Sequence, residues 1–486
     1  MNNSICFILD GKIKTLQFSE DSKITPTTTV LNYLRDLPDH KGVKEGCAEG
    51  DCGACTVVIA EPDEKNKFHY HAVDSCLIFL PKLHGKWLIT VENIKYPDGS
   101  LHPVQQAMVD FNGSQCGYCT PGFIMSMFAL YKSNLPNTRA AIEDALTGNL
   151  CRCTGYQPII EAAEYVLDQR KPDHFSVIEK DMLDLLKTIT KESLQISTGR
   201  QKYFLPATTM ELLQIKNENP EAILIHGATD IALRVTKKHE LITSIIDTMQ
   251  IEEMQIIKES ENHLYCGSAV NLNRLMHVAV KWFPAVYNAC SVFGSKQIRE
   301  MATIGGNLGT ASPIGDLAPV LSAYNAEMLI LSDHGARAVP VDQFITGYRK
   351  TGLNNGEIIK GIKIPKPDLN SIIKFYKVSK RKDLDISTLS TAFYLILNEK
   401  NNIENIKIIF GGMAEMTKQA ANTQNFLIGK PWSRDIIEKA MPILESEFKP
   451  ISDVRSGKEF RSIVAQNLLL KFWDDVSLEE AQKAQK

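Results

Sequence analysis

At 486 residues the chain is too long for a single hydrophobic core, and about three domains are expected. Its 54 Lys and Arg against 57 Asp and Glu give a net charge of −3 without long runs of either sign, which excludes the basic surface of a nucleic-acid binder. The start, MNNSICFILDGK, lacks a basic segment followed by an apolar stretch of signal-peptide length, and the most apolar segment, 122–131, is too short to span a bilayer. A cytoplasmic protein with no membrane partner is therefore expected, and its eleven cysteines are not expected to form disulfides.

In chain order, 4–9 and 12–18 read as a hairpin around Asp10-Gly11, 29–36 as a helix and 56–60 as a strand. This is a small β-grasp-like fold. At its edge, EGCAEGDCGACT places Cys47, Cys52 and Cys55 among Gly46, Gly50 and Gly53, and Cys76 follows. Gaps of four, two and twenty residues match the plant-type ferredoxin spacing for a [2Fe–2S] cluster. Glycine allows the positive φ and close approach that wrapping backbone around a cluster requires. A structural zinc site is the alternative, although zinc knuckles usually come as two short CXXC pairs.

The pattern then turns helical. A helix over 102–111 ends at Gly113, and Thr120-Pro121 opens the next with an N-cap and a proline at N1. Asn137 or Thr138 caps a third that ends at Gly148, and Gln157-Pro158 opens a fourth. A second quartet, Cys116 and Cys119 in SQCGYCTPGF with Cys151 and Cys153 in GNLCRCTGYQP, stands just before two of these helix starts. Positive helix ends would favour the net negative charge of a four-thiolate [2Fe–2S] centre, and the CXC bite suits a zinc knuckle poorly. Cys6, Cys266 and Cys290 stand alone in apolar surroundings and read as small buried hydrophobes.

From residue 203 strands at 222–226, 244–247 and 263–267 alternate with helices, an α+β or α/β arrangement with neither GXGXXG nor GXXXXGK. What remains is HGATD at 226–230 and TIGGN at 303–307, two turn-like stretches after apolar runs whose glycines permit close approach to a pyrophosphate. Taken alone, a GGN stretch reads as a turn.

In combination, GCAEGDCGACT, QCGYCTPGF and LCRCTGYQP resemble the iron–sulfur portion of the molybdenum hydroxylases, the xanthine dehydrogenase and aldehyde oxidase family. The resemblance continues through ATIGGNLGTASPIGDLAPV, GYRKT, KVSKRKDLDIS and FGGMAEMTKQA, which look like the FAD domain of xanthine dehydrogenase, and weakens near 170–198 and over the last fifty residues. It implies a multidomain α+β chain: a β-grasp [2Fe–2S] ferredoxin-like domain over 1–88, a four-helix [2Fe–2S] domain over 89–169 and a linker over 170–197. An α/β FAD-binding domain of the PCMH type over 198–370 and a small α+β C-terminal flavoprotein domain over 371–486 follow.

Carried over by position, two loops hold the FAD diphosphate. The first is Leu224, Ile225, His226, Gly227, Ala228, Thr229, Asp230 and Ile231; the second is Thr303, Ile304, Gly305, Gly306 and Asn307. Phe293 lies beside the flavin, Asp316 contacts the cofactor, Ile359 and Lys377 stand on the adenine side, and Tyr348 on the nicotinamide side. Core packing is the plain alternative for Phe293 and Tyr348, and a solvated charged face for Lys380, Arg381 and Asp383. Ala48 stands where the family often has Gly or Asn, Asp51 at a variable position, and His226 where an apolar or small residue is usual; no ligand is lost.

The resemblance further implies that the family's molybdopterin domain sits on a separate large subunit, with the tail LEEAQKAQK as a true terminus. The chain then resembles the small subunit of a bacterial xanthine dehydrogenase, in a heterotetramer of two small and two large subunits. Electrons from purine (xanthine or hypoxanthine) hydroxylation would pass singly through two [2Fe–2S] clusters to FAD and leave as hydride to the co-substrate NAD+. The same role in an aldehyde or other N-heterocycle hydroxylase, a stand-alone NADH-oxidising flavoprotein and a zinc-structured binding protein are the alternatives. The eight cysteines are ligands in this account, with no catalytic side chain.

Overall fold

Asp10 and Gly11 take φ of +55° and +69°, the two positive values of a type I′ turn. They join Ser4–Leu9 to Lys12–Gln17 with Ile8 opposite Ile13. Trp87–Ile89 adds parallel to Ser4–Leu9, and Thr56–Pro62 and Phe68–Asp74 complete a five-stranded sheet. The helix Val30–Asp36, capped by the Thr29 hydroxyl accepting from the Asn32 N–H, buries Val30, Leu31 and Leu34 in the same core as Phe7 and Val57. This is the expected β-grasp.

These are features of a computed structural model that describes residues 3–484, with side chains as far as 479. The last two residues of LEEAQKAQK lie outside the described residues. The chain divides into two units, Met1–Glu252 with Gly294–Ala302 and Glu253–Phe293 with Thr303–Lys486, so the stretch expected as one FAD-binding domain is shared between them.

The four expected helices are Pro103–Asp110, Thr120–Lys132, Arg139–Leu146 and Gln157–Asp168, around Phe123, Phe128, Ile142, Ile159 and Ala162. His102 caps the first with a capping box closed by Gln105, and Thr138 caps the third. The N-cap of the second is Cys119 and not Thr120, because the Thr120 hydroxyl donates to Ser114 Oγ at 2.8 Å instead. The fourth starts from Tyr156 in the left-handed region, φ +69°.

Residues 170–197, expected as a linker, hold the helix His174–Lys187, capped by Asp173. Phe175, Met182 and Leu186 bury in the helical domain's core beside Trp87 and Phe128. Burial of three large apolar side chains ties down part of the stretch that the resemblance implied was a linker. The first unit ends in a four-stranded sheet ordered Leu194–Thr198, Gln201–Leu205, Ser244–Asp247 and Ile223–Ile225.

The second unit has an antiparallel sheet ordered Ile257–Glu259, His263–Gly267, Ile358–Pro365, Glu327–Ser332 and Gly335–Pro340. A second sheet, of Ile372–Val378, Leu389–Leu397, Ile403–Gly411 and Lys418–Gln419, shares a core with Arg434–Glu447 and Lys458–Ala484 around Phe393, Phe410, Ile437 and Phe472. Among the described residues no helix is long and apolar enough to cross a membrane. All eleven cysteines are free thiols; Cys266 and Cys290 are fully buried as expected, whereas Cys6 is only half-buried, its Sγ 3.4 Å from Thr15 Oγ1.

Candidate iron–sulfur and flavin sites

The glycines of the first cysteine loop are there for space and for φ. A Cβ on Gly46 would stand 2.8 Å from Cys52 Sγ, and one on Gly53 would stand 2.2 Å from the Gly148 carbonyl oxygen. Gly50 and Gly53 take φ of +76° and +65°, as does Ala48 at +55°, where a β-carbon strains the backbone. The Ala48 departure in the sequence is thus a left-handed position filled without glycine.

The thiols gather in twos. Cys47 bonds Cys52, Cys55 bonds Cys76, Cys119 bonds Cys151, and Cys153 Sγ stands 3.6 Å from Cys116 Sγ. Among the described residues no three His, Cys, Asp or Glu converge as they would round a single ion. Two thiolates per iron is the donor set of a two-iron cluster, so each quartet fits that group better than a zinc tetrahedron.

The bond from Cys52 and the N–H groups of Glu49 and Asp51, 3.4 and 3.3 Å from Cys47 Sγ, lower the Cys47 thiol to about 5, while Cys52, sharing that proton, is pushed up. Burial, then the bond to Cys151, pushes Cys119 up to about 12. Against its own burial, Cys151 is lowered by Thr154, whose Oγ1 stands 3.2 Å from its sulfur. Cys55 and Cys76 are buried, whereas Cys116 and Cys153 are exposed.

The two quartets are joined directly. Leu150 donates its N–H to the Cys52 carbonyl at 3.0 Å, and Asn149 Nδ2 donates to the Gly53 carbonyl at 3.0 Å and to Thr56 Oγ1 at 3.2 Å. Both Asn149 and Ser126 accept from Gln297 Nε2, at 3.0 and 2.9 Å. Sequence reading missed Asn149 and Gln297, since neither carries cofactor chemistry.

In the first unit, Leu224 and Ile225 lie in the strand Ile223–Ile225, and His226, Gly227, Ala228, Thr229, Asp230 and Ile231 form the turn after it. Gly227 is required: a Cβ there would stand 1.9 Å from the Met301 carbonyl oxygen. Ala228 has φ +61°. His226 Nδ1 stands 3.2 Å from Thr248 Oγ1, and its carbonyl accepts from Lys82 Nζ. Lys82 is buried and paired with Asp247, also buried, at 3.0 Å; Tyr203 donates to the same carboxylate at 2.5 Å. The ion pair escaped sequence reading, yet a lone Lys inside the apolar run CLIFLPKLHG was its signal.

In the second unit, Thr303–Asn307 is not a free turn but the start of the helix Ile304–Gly309. Thr303 Oγ1 accepts from the Gly306 N–H at 3.0 Å, so its hydroxyl serves as a cap. Gly305 is admitted because a Cβ would collide with Ser268, 2.5 Å away. Asn307 Oδ1 is buried without a hydrogen-bond partner, as befits a group awaiting a donor from a ligand. Asp316 and Lys377 are brought together at 2.9 Å, with Ser387 donating to the other carboxylate oxygen and Lys377 also to the Val292 carbonyl at 2.8 Å. Ile359 lies 3.2 Å from where a Gly309 Cβ would be, and Phe293 is half-buried. Tyr348 is 62% exposed, which excludes core packing for its ring. Within this unit the close approach at Gly305, the buried acceptor of Asn307 and the paired acid Asp316 fit a flavin nucleotide.

Comparison with known proteins adds families to this geometry. Residues 90–164 match a [2Fe-2S] binding domain, 195–367 the FAD binding domain in molybdopterin dehydrogenase, and 374–476 the CO dehydrogenase flavoprotein C-terminal domain. Xanthine dehydrogenase of Drosophila pseudoobscura pseudoobscura is 32% identical over 98% of this chain and 39% of its own length. Xanthine dehydrogenase 1 of Arabidopsis thaliana is 32% identical over 92% of this chain and 38% of its own. The chain thus spans about two-fifths of the curated relatives it matches. Among solved structures, a carbon monoxide dehydrogenase from Hydrogenophaga pseudoflava superposes with a TM-score of 0.53 at 20% identity, over 56% of this chain and 94% of that one. Quinoline 2-oxidoreductase from Pseudomonas putida 86 gives 0.52 at 24% identity, over 56% and 96%. These two share the fold.

Proposed function

We propose that this chain is the iron–sulfur and FAD component of a molybdenum hydroxylase, the electron-transfer subunit of a xanthine dehydrogenase; the three matched domains support the component and its cofactors. In this reading a molybdopterin site on a partner chain hydroxylates xanthine or hypoxanthine, and the electrons cross two [2Fe–2S] clusters to FAD and then NAD+. The relatives' names support the purine substrate. The partner chain is supported by the carbon monoxide dehydrogenase, described as lacking the Mo-pyranopterin moiety of its molybdenum cofactor, one chain of which this fold covers for 94% of its length. Two small and two large subunits complete the assembly.

The observation that carries the proposal is the pairing of both quartets in twos with hydrogen bonds between their loops, from Leu150 to Cys52 and from Asn149 to Gly53. When bound, the clusters carry single electrons and the flavin exchanges one or two, which converts single-electron flow to hydride transfer. The protein's part is to hold and to shield. Cys47, Cys52, Cys55 and Cys76 hold one cluster; Cys116, Cys119, Cys151 and Cys153 hold the other. The Glu49 and Asp51 N–H groups spread the negative charge on Cys47. In the first unit the backbone at Gly227 leaves room for a phosphate; in the second, Gly305–Gly306 does the same, Asn307 Oδ1 would accept from a hydroxyl or N–H of the cofactor, and Asp316, fixed by Lys377 and Ser387, would orient it. Tyr348, on the surface, receives the nicotinamide. A cytoplasmic location keeps all eleven thiols reduced for this use.

Anaerobic titration of the purified chain with NADH and then dithionite tests the reading. Bleaching of both flavin and iron–sulfur absorption by NADH is expected. Bleaching by dithionite alone would remove NAD+ from the account.

A further inference from the structure

Glycine-bounded and only nine residues long, the segment Gly294–Ala302 belongs to the first unit although the chain on either side of it belongs to the second. Its helix Lys296–Arg299 is capped by Ser295, whose Oγ accepts from the Ile298 N–H at 3.2 Å. Ser295, Gln297 and Arg299 are fully buried, an unusual use of three polar side chains in a one-turn helix. Such burial needs partners, and the partners are informative.

Gln297 Nε2 bonds Ser126 and Asn149, the residues that also hold the loop between the two quartets. Ile298 lies under Gly50 in the first cysteine loop, 2.9 Å from where a Cβ would stand. Three residues on, the Met301 carbonyl presses on Gly227, where no side chain fits. Ile298 and Met301 pack on one apolar core that includes Cys55, Cys76, Ile225 and Ala228. Thr303, the residue after the segment, begins the second flavin loop.

We propose that 294–302 is a strap that sets the register between the first cysteine loop and the first flavin loop, with Gln297 as its positioning residue for electron transfer between cluster and flavin. This inference rests on the cofactor reading above and adds the element that fixes their spacing. One short segment touches the cysteine loop through Ile298, the inter-quartet loop through Gln297 and the first flavin loop through Met301, and continues covalently into the second. Three anchors within nine residues leave little freedom to slide, and a misplacement of about 1 Å at a reacting centre can cost a rate about 10²-fold.

The test uses the full chain loaded with its cofactors. In anaerobic stopped-flow mixing with NADH, the wild-type flavin bands bleach first and the iron–sulfur bands follow. The Gln297→Leu variant is expected to keep the flavin phase and its NADH dependence, and to slow the iron–sulfur phase about tenfold. Ser126→Ala, which removes one of the two acceptors, is expected to slow it to a lesser degree, and carries the test if Gln297→Leu does not load. A purely structural role would alter both phases together or lose cofactor. Iron–sulfur phases equal to wild type in both variants overturn the strap and leave the cofactor reading standing. A wild-type chain without flavin and iron–sulfur absorption overturns both.

Discussion

Leu150 donates its backbone N–H to the carbonyl of Cys52 at 3.0 Å, so one hydrogen bond joins a ligand of the first quartet to the residue preceding Cys151 of the second. Asn149 fastens the same junction, and each of its amide groups has buried partners. Asn149→Ala removes its bonds to the Gly53 carbonyl, Thr56 and Gln297, while Thr56 still donates to that carbonyl at 2.7 Å and Gln297 still donates to Ser126 at 2.9 Å. The cost is expected to be about 1–3 kcal/mol, since each buried hydrogen bond contributes about 0.5–1.5 kcal/mol. Urea denaturation of wild type and variant reads this as a lower midpoint at unchanged slope.

Opposite signs are expected at two neighbours in the first loop. Ala48→Gly relieves a left-handed Ala of about 1–2 kcal/mol of strain and loses part of that to unfolded-state entropy, for a net gain of about 0.5–1 kcal/mol. Gly53→Ala combines φ +65° with a Cβ 2.2 Å from the Gly148 carbonyl oxygen, and is expected to destabilise by about 2–5 kcal/mol. Melting temperatures and iron content of the two variants check both.

Acid sensitivity is predicted at Asp173. Burial alone would raise its carboxyl, but hydrogen bonds from His102, at 3.1 Å, and Lys132, at 2.8 Å, outweigh it and hold the group well below the usual range. A depressed carboxyl contributes stability that is present above its unfolded pKa of about 4 and is lost as pH falls through the folded value. The urea midpoint is therefore expected to fall as pH drops below about 4, and in Asp173→Asn that dependence is expected to flatten. An unchanged acid limb in the variant contradicts the assignment.

Lys82→Met leaves Asp247 buried with Tyr203 as its remaining side-chain donor and releases the His226 carbonyl. Breaking a buried pair from one side costs about 3–5 kcal/mol. A lower flavin-to-protein ratio is expected in Lys82→Met than in wild type, with partial recovery in Lys82→Met with Asp247→Asn, because the second change removes the stranded charge. Equal flavin content in all three would separate Lys82 from the first flavin loop.

The parts legible in the sequence are those whose chemistry is local. Asp10-Gly11 announces its turn, the cysteine spacing announces its donor set, and Pro121 and Pro158 announce helix starts within a residue or two. Cys119 displaced Thr120 as a cap only because Ser114 is there to accept from the Thr120 hydroxyl, six residues away. Thr303–Asn307 looked like a turn because two glycines oppose a helix; Ser268 leaves no room for a side chain at Gly305, and the Thr303 cap on the Gly306 N–H starts the helix all the same. Gln297, Lys82 and Asp173 take their roles from partners 148, 165 and 71 residues distant in sequence, which no local pattern reports. In the helix His174–Lys187 the apolar positions were present, but the core that receives them comes from elsewhere in the chain.

The central claim is that both quartets hold two-iron clusters on one chain. Iron and acid-labile sulfide analysis with electron paramagnetic resonance of the dithionite-reduced protein tests it most directly. About four irons and four sulfides per chain, with two distinguishable signals of one spin each, are predicted. One signal and about two irons, or zinc in place of iron at either quartet, would contradict it.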